Sequence, residues 1–377
     1  MLTPIKLILS STLGPKLAAI RGSKYGNQGL FSEDELTHLN LPHGIKSTLA
    51  SILNHSISAG TWSTYKTVGN MLKICEEDTM ENMNFPMCSR QVIIFIHWLF
   101  EKRKVTSNTA NTYLSGLRYL HIVKGSELPI LRPPIVEQLL KGKHNWDAIK
   151  RRQTDHPKRA PITLNVMKLI KIQIKALETN NEDKALIWAT CTIAFAGCLR
   201  IHEILSKKQR EYDPDITLLG EDVVLNHTKY KNEPIRILQI KIKSPKEDRI
   251  GVGKIIDIYE SSGPICPIRA FLRWEKLQTT RENKSPIFKL SDGTCLTGRK
   301  LNQLLKQFLE PHLDYKKGKF SSHSFRAGMA TLMGTLGFGD EDIMAMGRWS
   351  SEAYLNYLKL PRTRRIEMAR KIGDAMR

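Results

Sequence analysis

Residues 236–259, RILQIKIKSPKEDRIGVGKIIDIY, decide the fold class. Apolar side chains alternate at Leu238, Ile240 and Ile242, and again at Ile250 and Val252. That period of two belongs to strands with one buried face. Pro245, Lys246 and Asp248 lie between the two runs, so the segment predicts a β-hairpin with a charged tip. Outward from it in both directions the period becomes helical. TLNVMKLIKIQIKAL and DKALIWATCTIAFAGCL precede it, the second apolar enough to be buried; CPIRAFLRWEKLQ follows, and helices dominate again from Gly298 onward. A mainly α chain with a small β-sheet, an α+β fold, is the expectation.

Further upstream, residues 56–145 read as about four helices. SISAGTWSTYKTVGNMLKICEE offers Ser and Thr caps before Trp62, Tyr65, Val68, Leu72 and Cys75. SRQVIIFIHWLFEKRK ends in basic residues that suit a helix C-terminus. TSNTANTYLSGLRYLHIVKG and PPIVEQLLKGKHNW complete the set. Residues 1–55 are weakly patterned, with SEDELTHLNLP as a possible short capped helix and no role assigned. Residues 146–160 turn polar and basic with two prolines, the texture of an interdomain linker. Its Lys150, Arg151, Arg152, Lys158 and Arg159 suit a duplex backbone, a nuclear localisation patch or simply a solvated linker.

The chain has 377 residues and a formal net charge of +21. Two domains are the natural division at that length. An excess of this size points to a polyanionic partner, with nucleic acid first and a generally basic enzyme as the plain alternative. The six cysteines form no CxxC pair and several lie in apolar runs, so they read as reduced thiols of an intracellular protein. Cys191, Cys198 and His202 have no usual zinc spacing. No run of about 18 uncharged apolar residues predicts a membrane span. MLTPIKLILSSTLG is broken by Pro4 and Lys6 and makes a poor signal peptide.

The chemistry concentrates late in the chain, in SSHSFRAGMATLMGTLGFGDEDIMAMGRWSSEAYLNYLK, residues 321–359. His323 and Arg326 stand three apart, one face of a helix. Ser321 or Ser322 is placed to cap that helix, whose N-terminus favours an anion. Arg200 follows the apolar run IAFAGCL, where a charge is costly unless it is paired or holds a ligand. Glu203 is its natural partner, and a purely structural ion pair is the plain reading of the two. No carboxylate cluster has the spacing of Mg²⁺ ligands, so metal ligands are expected to be none.

The order of these features (buried helix, GCLRIHE, hairpin with a tip lysine, HSFR, GRW, then Tyr) resembles the catalytic domain of the tyrosine recombinases, over roughly residues 160–360. The helical segment before it resembles that family's core-binding, SAM-like domain, so the resemblance implies a C-shaped clamp on DNA. GRWSSEAYLNYLK looks most like the eukaryotic transposon recombinases of Crypton or DIRS-like kind. Carried over by motif, Arg200 and Arg326 match the family's two arginines, His323 the histidine before the second, and Glu203 the acidic residue that steadies the first. Trp349 matches the His-or-Trp position and Tyr357 the nucleophile, with Tyr354 on the same helical face as alternative. The family usually has one more residue between its His/Trp and tyrosine than separates Trp349 from Tyr357. Lys246 matches the hairpin lysine, with Lys243 as alternative.

What the resemblance implies is strand cleavage through a 3′-phosphotyrosine, without cofactor, metal or ATP, by a homo-tetramer on double-stranded DNA that is monomeric or dimeric when free. A nuclear location is expected in a eukaryote, a cytoplasmic one otherwise. Two alternatives stand beside it: a type IB topoisomerase-like nicking-resealing enzyme, and a catalytically silent DNA-binding derivative. Residues 361–377 carry an apolar stripe at Ile366, Ala369, Ile372 and Met376 that packs on its own chain or on a neighbour.

Overall fold

The alternating run at 236–242 forms a strand, but the sheet around it has three strands rather than the two expected. In this computed structural model, which describes residues 40–54, 56–124, 131–153, 160–243, 252–278, 282–313, 319–349 and 355, β1 (Val223–Tyr230), β2 (Glu233–Ile242) and β3 (Lys254–Tyr259) pair antiparallel in chain order. Leu225, Leu238 and Ile258 stand in register across the sheet. The return strand begins at Lys254, opposite Ile242, so Val252 lies outside it and is 76% exposed. Ile250 and the tip with Lys246 lie outside the described residues. Gly253 explains the late start. It has φ +76°, and a Cβ there would stand 2.8 Å from the Ile242 carbonyl oxygen, so only glycine fits at the base of the hairpin.

The chain divides into two compact units, Met1–His156 and Pro157–Arg377. In the first, α1 (His43–Asn54), α2 (Ala59–Thr79), α3 (Ser89–Glu101), α4 (Ser107–Val123) and α5 (Pro134–Gln153) are helical. Ser58 and Thr106 cap α2 and α4, accepting from the Thr61 and Thr109 amides. The N-cap of α3 is Cys88, whose amide donates to the Gln91 side chain at 2.7 Å. Val68, Leu72, Phe95, Leu99, Leu117 and Val136 make the shared core. His121 is fully buried within it, with Nε2 accepting from the Met87 amide at 3.1 Å and Nδ1 donating to Leu117 O at 2.8 Å. Burial pulls this imidazole below its ordinary pKa, with the Leu117 bond opposing.

Two expectations for this unit need correction. Residues 43–54, read as part of an extension without a role, form α1, whose Ala50 packs with Val123 and Trp62. The polar stretch read as a linker from residue 146 is helical as far as Gln153. Lys150 lies on that helix with its ammonium 5.3 Å from the ring centroid of Trp146, which is itself exposed. Apolar content falls along α5 while helical propensity stays high, and propensity decided the matter.

The second unit is built around α7 (Asn181–Ala196), which follows α6 (Leu164–Ala176). Asn180 caps α7 by accepting from the Asp183 amide at 2.7 Å, and Glu182 and Asp183 complement its positive end. Every residue from Ala185 to Phe195 is buried. A helix apolar on all sides must be covered on all sides. The sheet contributes Leu238, Ile240 and Ile258 to the same core, α9 (Pro267–Glu275) contributes Phe271 and Trp274, α10 (Gly298–Leu309) contributes Leu301 and Leu305, and α11 (His323–Leu336) contributes Phe325. The one-turn α8 (Ile201–Ile204) and α12 (Asp340–Gly347) are its other α-helices among the described residues.

Candidate functional site

The site forms where α7 ends. Cys198 adopts the left-handed region, φ 48°, and turns the chain so that Arg200 becomes the N-cap of α8. Glu203 folds back onto it. Its Oε2 accepts from the Arg200 amide at 2.9 Å, and its Oε1 accepts from Arg200 Nη1 at 3.1 Å. The Glu203 side chain is wholly buried and that of Arg200 is 14% exposed.

Arg326 arrives from α11. Ile162 runs beside this helix, its amide bonded to Ser324 O at 2.9 Å. The approach requires Gly328, where a Cβ would lie 2.0 Å from Ile162 O. Arg326 is 2% exposed. Its Nη1 donates to Cys198 O at 2.8 Å, its Nη2 donates to Gly347 O, and its guanidinium stacks 4.2 Å from the centroid of the Trp349 ring. The Cys198 thiol donates back to Arg326 O at 3.6 Å, and burial pushes that thiol up to about 11. Burial also pulls Arg326 below the ordinary arginine pKa, with Arg200 and Arg348 pulling the same way and Glu203 opposing.

His323 begins α11, and its ring centroid lies 6.5 Å from that of His202 on α8. Burial pulls His202 below its ordinary pKa; Glu203 opposes, while His323 and Arg200 pull it further down. The expected serine cap is made differently. Ser322 is the N-cap residue but its side chain makes no cap bond, and Ser324 Oγ instead accepts from the Ser321 amide at 3.1 Å.

Arg200, Glu203, His323, Arg326 and Trp349 are thus brought to one place. Lys246, Tyr354 and Tyr357 lie outside the described residues, as do Lys158 and Arg159. Arg151 and Arg152 belong to α5, but their side chains are outside what is described. Lys243 is engaged elsewhere: its ammonium pairs with Asp222 Oδ2 at 2.7 Å and donates to Pro214 O at 3.0 Å. Among the described residues no three His, Cys, Asp or Glu side chains gather as a metal site, and no helix is long and apolar enough to cross a membrane.

One member of the cluster was not foreseen. Arg348 sits at φ 56° just after α12. Its Nη1 donates to Gly197 O at 3.1 Å, and its Nη2 to Glu203 Oε2 at 3.0 Å and Cys198 O at 3.4 Å. Its position in GRW was visible, but nothing in the sequence marks a long side chain that turns back some 150 residues.

In sequence the chain matches no protein-family model and none of the curated proteins. In structure it is similar to the XerH site-specific recombinase. The likeness to the post-cleavage complex bound to palindromic difH has a TM-score of 0.52 at 10% identity, covering 93% of this chain and 91% of that one. The pre-cleavage complex bound to difH gives 0.50 at 13% identity, covering 94% and 93%. With its mainly helical architecture and small three-stranded sheet, the chain has the tyrosine recombinase fold.

Proposed function

We propose that this protein is a site-specific DNA recombinase that cuts and rejoins strands through a covalent tyrosine link. The observation that carries the reading is the convergence of Arg200 and Arg326 on the chain at Cys198, with His323 on the same helix as Arg326. Three guanidinium groups gather there around the Glu203 carboxylate. Such a cluster holds more positive than negative charge in a largely buried place, and a phosphodiester is the natural anion to balance it.

In the proposed reaction the Tyr357 oxygen attacks phosphorus while the bond from phosphorus to the 5′-oxygen breaks. The phenol has an ordinary pKa of about 10, so it loses its proton to a base, the role we assign to His323. The leaving 5′-oxygen takes a proton from the Lys246 ammonium and departs as a hydroxyl. Arg200 and Arg326, with the Trp349 indole N–H, stabilise the charge that builds on the non-bridging oxygens. For Arg326 this means exchanging a backbone carbonyl for a phosphate oxygen. Attack by the 5′-hydroxyl of a partner strand on the phosphotyrosine restores the phosphodiester without ATP. Two duplexes, each cut twice, call for four protomers. Double-stranded DNA is the partner, with Lys150, Arg151, Arg152, Lys158 and Arg159 along its backbone. A transposable element of Crypton or DIRS-like kind, acting in the nucleus of a eukaryote, is the setting the motifs favour.

The test incubates the protein with nicked duplexes of randomised sequence, removes non-covalent protein with detergent and sequences whatever DNA stays attached. Wild type should retain DNA through a 3′-phosphate; Tyr357→Phe should bind DNA and retain none, while Tyr354→Phe should retain it. Attachment lost with Tyr354→Phe instead would reassign the nucleophile. Relaxed plasmid without recombinant product would point to a topoisomerase, and no attachment at all to a silent derivative.

A further inference from the structure

We propose that Arg348 is a positioning residue of the cleavage site, fixing Glu203, and through it Arg200, against the chain segment that leads to the tyrosines. The inference rests on the recombinase reading. Arg348 occupies the left-handed region at the end of α12, the place where helices most often end in glycine. A residue with a Cβ is strained there. The local helix end gains nothing from an arginine, since the bonds that close it, Arg348 N to Ala345 O at 3.2 Å and Trp349 N to Met344 O at 3.0 Å, are made by backbone.

What the side chain gains lies far back in the chain. One guanidinium reaches Gly197 O, Cys198 O and Glu203 Oε2, and the whole side chain is only 9% exposed. What sets it apart from Arg326 is its bond to the Glu203 carboxylate, which also orients Arg200, so it acts as a brace. Glu203 is the joint of this brace. Its Oε2 meets both Arg348 and the Arg200 amide, while its Oε1 meets Arg200 Nη1. Arg326 supplies a second tie to the same segment through Gly347 O and the Trp349 ring. Two buried arginines thus bolt residues 347–349 to the turn that carries Arg200. Removing Arg348 frees one side of the carboxylate, so Arg200 loses its fixed orientation while the DNA-binding surface keeps its charges.

Arg348→Gly separates the brace from the backbone, because glycine accepts φ 56° without strain. The rate of covalent attachment is measured in single turnover on a nicked duplex recovered from the wild-type selection, alongside DNA affinity and thermal midpoint. Arg348→Gly and Glu203→Gln should each slow attachment on the order of tenfold or more. The double variant should be no slower than the worse single to within about threefold, because both remove one coupling. Affinity should change by less than about twofold, since phosphate contacts elsewhere set it. The midpoint should fall in either case, because Glu203 loses a buried partner; a purely structural Arg348 would let the two rate losses multiply. If Arg348→Gly does not fold, Arg348→Lys, which offers an ammonium in place of a fork, is judged by the same criteria. Wild-type rates in the variant, or losses that multiply, overturn this role and leave the recombinase reading standing. Absence of attachment by wild type overturns both.

Discussion

Glu203 allows the sharpest test of how the site is held together. Its carboxylate is fully buried, with Arg200 Nη1 at 3.1 Å on one oxygen and Arg348 Nη2 at 3.0 Å on the other. The two cations are only 14% and 9% exposed, so water cannot replace the lost partner well. Each charge-assisted bond contributes about 1.5–3 kcal/mol, and removing one partner of a buried ion pair costs about 3–5 kcal/mol. Glu203→Ala should therefore cost about 4 kcal/mol. Glu203→Gln keeps an oxygen toward one guanidinium but turns an amide donor toward the other, and should cost about 2–3 kcal/mol. With a urea slope of about 2 kcal/mol/M, the alanine variant's unfolding midpoint falls by about 2 M and the glutamine variant's by about half that. Urea titration of the intact chain, followed by tryptophan fluorescence, reads both. A fall of less than about 0.3 M for Glu203→Ala, at unchanged slope, would refute the view that this carboxylate is the buried counter-ion of the cluster.

Other consequences are checked by similar means. Gly253→Ala, with φ +76° and a Cβ 2.8 Å from Ile242 O, should lose about 2 kcal/mol in urea unfolding. The two candidate hairpin lysines should separate: Lys243→Met strands the buried Asp222 carboxylate and lowers stability by about 3 kcal/mol. Lys246→Met should leave the urea midpoint in place and slow covalent attachment. His121 sets a pH dependence whose sign follows from its depressed pKa. The unfolded chain takes the proton first, so the contribution is complete above about 6.5, the ordinary histidine value, and is lost as pH falls below it. Protonation takes away the Nε2 acceptor of the Met87 amide, so urea midpoints should drop from pH 7.5 toward 5 and the drop should shrink in His121→Gln.

What was legible in the sequence tracks how strongly each signal is confined to neighbours in the chain. The buried α7 was plain because an apolar run after Asn-Glu-Asp has few other solutions. Strand β2 was plain because Leu238, Ile240 and Ile242 alternate cleanly. Its partner β1 was missed. It is an edge strand, and its short apolar run Val223, Val224 and Leu225 passes without alternation into the polar Asn226, His227, Thr228 and Lys229. Arg200, Glu203, His323 and Arg326 were found by motif and type, and the pairing of Arg200 with Glu203 could be anticipated from their spacing. The role of Arg348 could not, because it depends on a left-handed backbone angle and on carbonyls 150 and 151 residues away.

Those carbonyls also explain why Arg326 and Arg348 gather beside Arg200. Helix α7 runs 16 residues, about 24 Å, through the core of its unit. Its C-terminal end carries the negative pole of the peptide dipoles and a set of carbonyls without helical partners. Gly197 O and Cys198 O lie at that end and take donors from Arg326 and Arg348. An end of this kind, enclosed by protein, must find donors within the protein or leave its carbonyls bare. Guanidinium groups supply several donors each and carry the right sign of charge. The same feature that makes α7 a good core helix thus recruits cations to its end, and Glu203 balances only part of their charge. A phosphate bound beside Arg200 would supply the rest. Inorganic phosphate or a short duplex should therefore raise the thermal midpoint of the wild-type protein, and the rise should be smaller in Arg200→Ala. Equal stabilisation of both proteins would show that the anion binds elsewhere and that the cluster is complete without it.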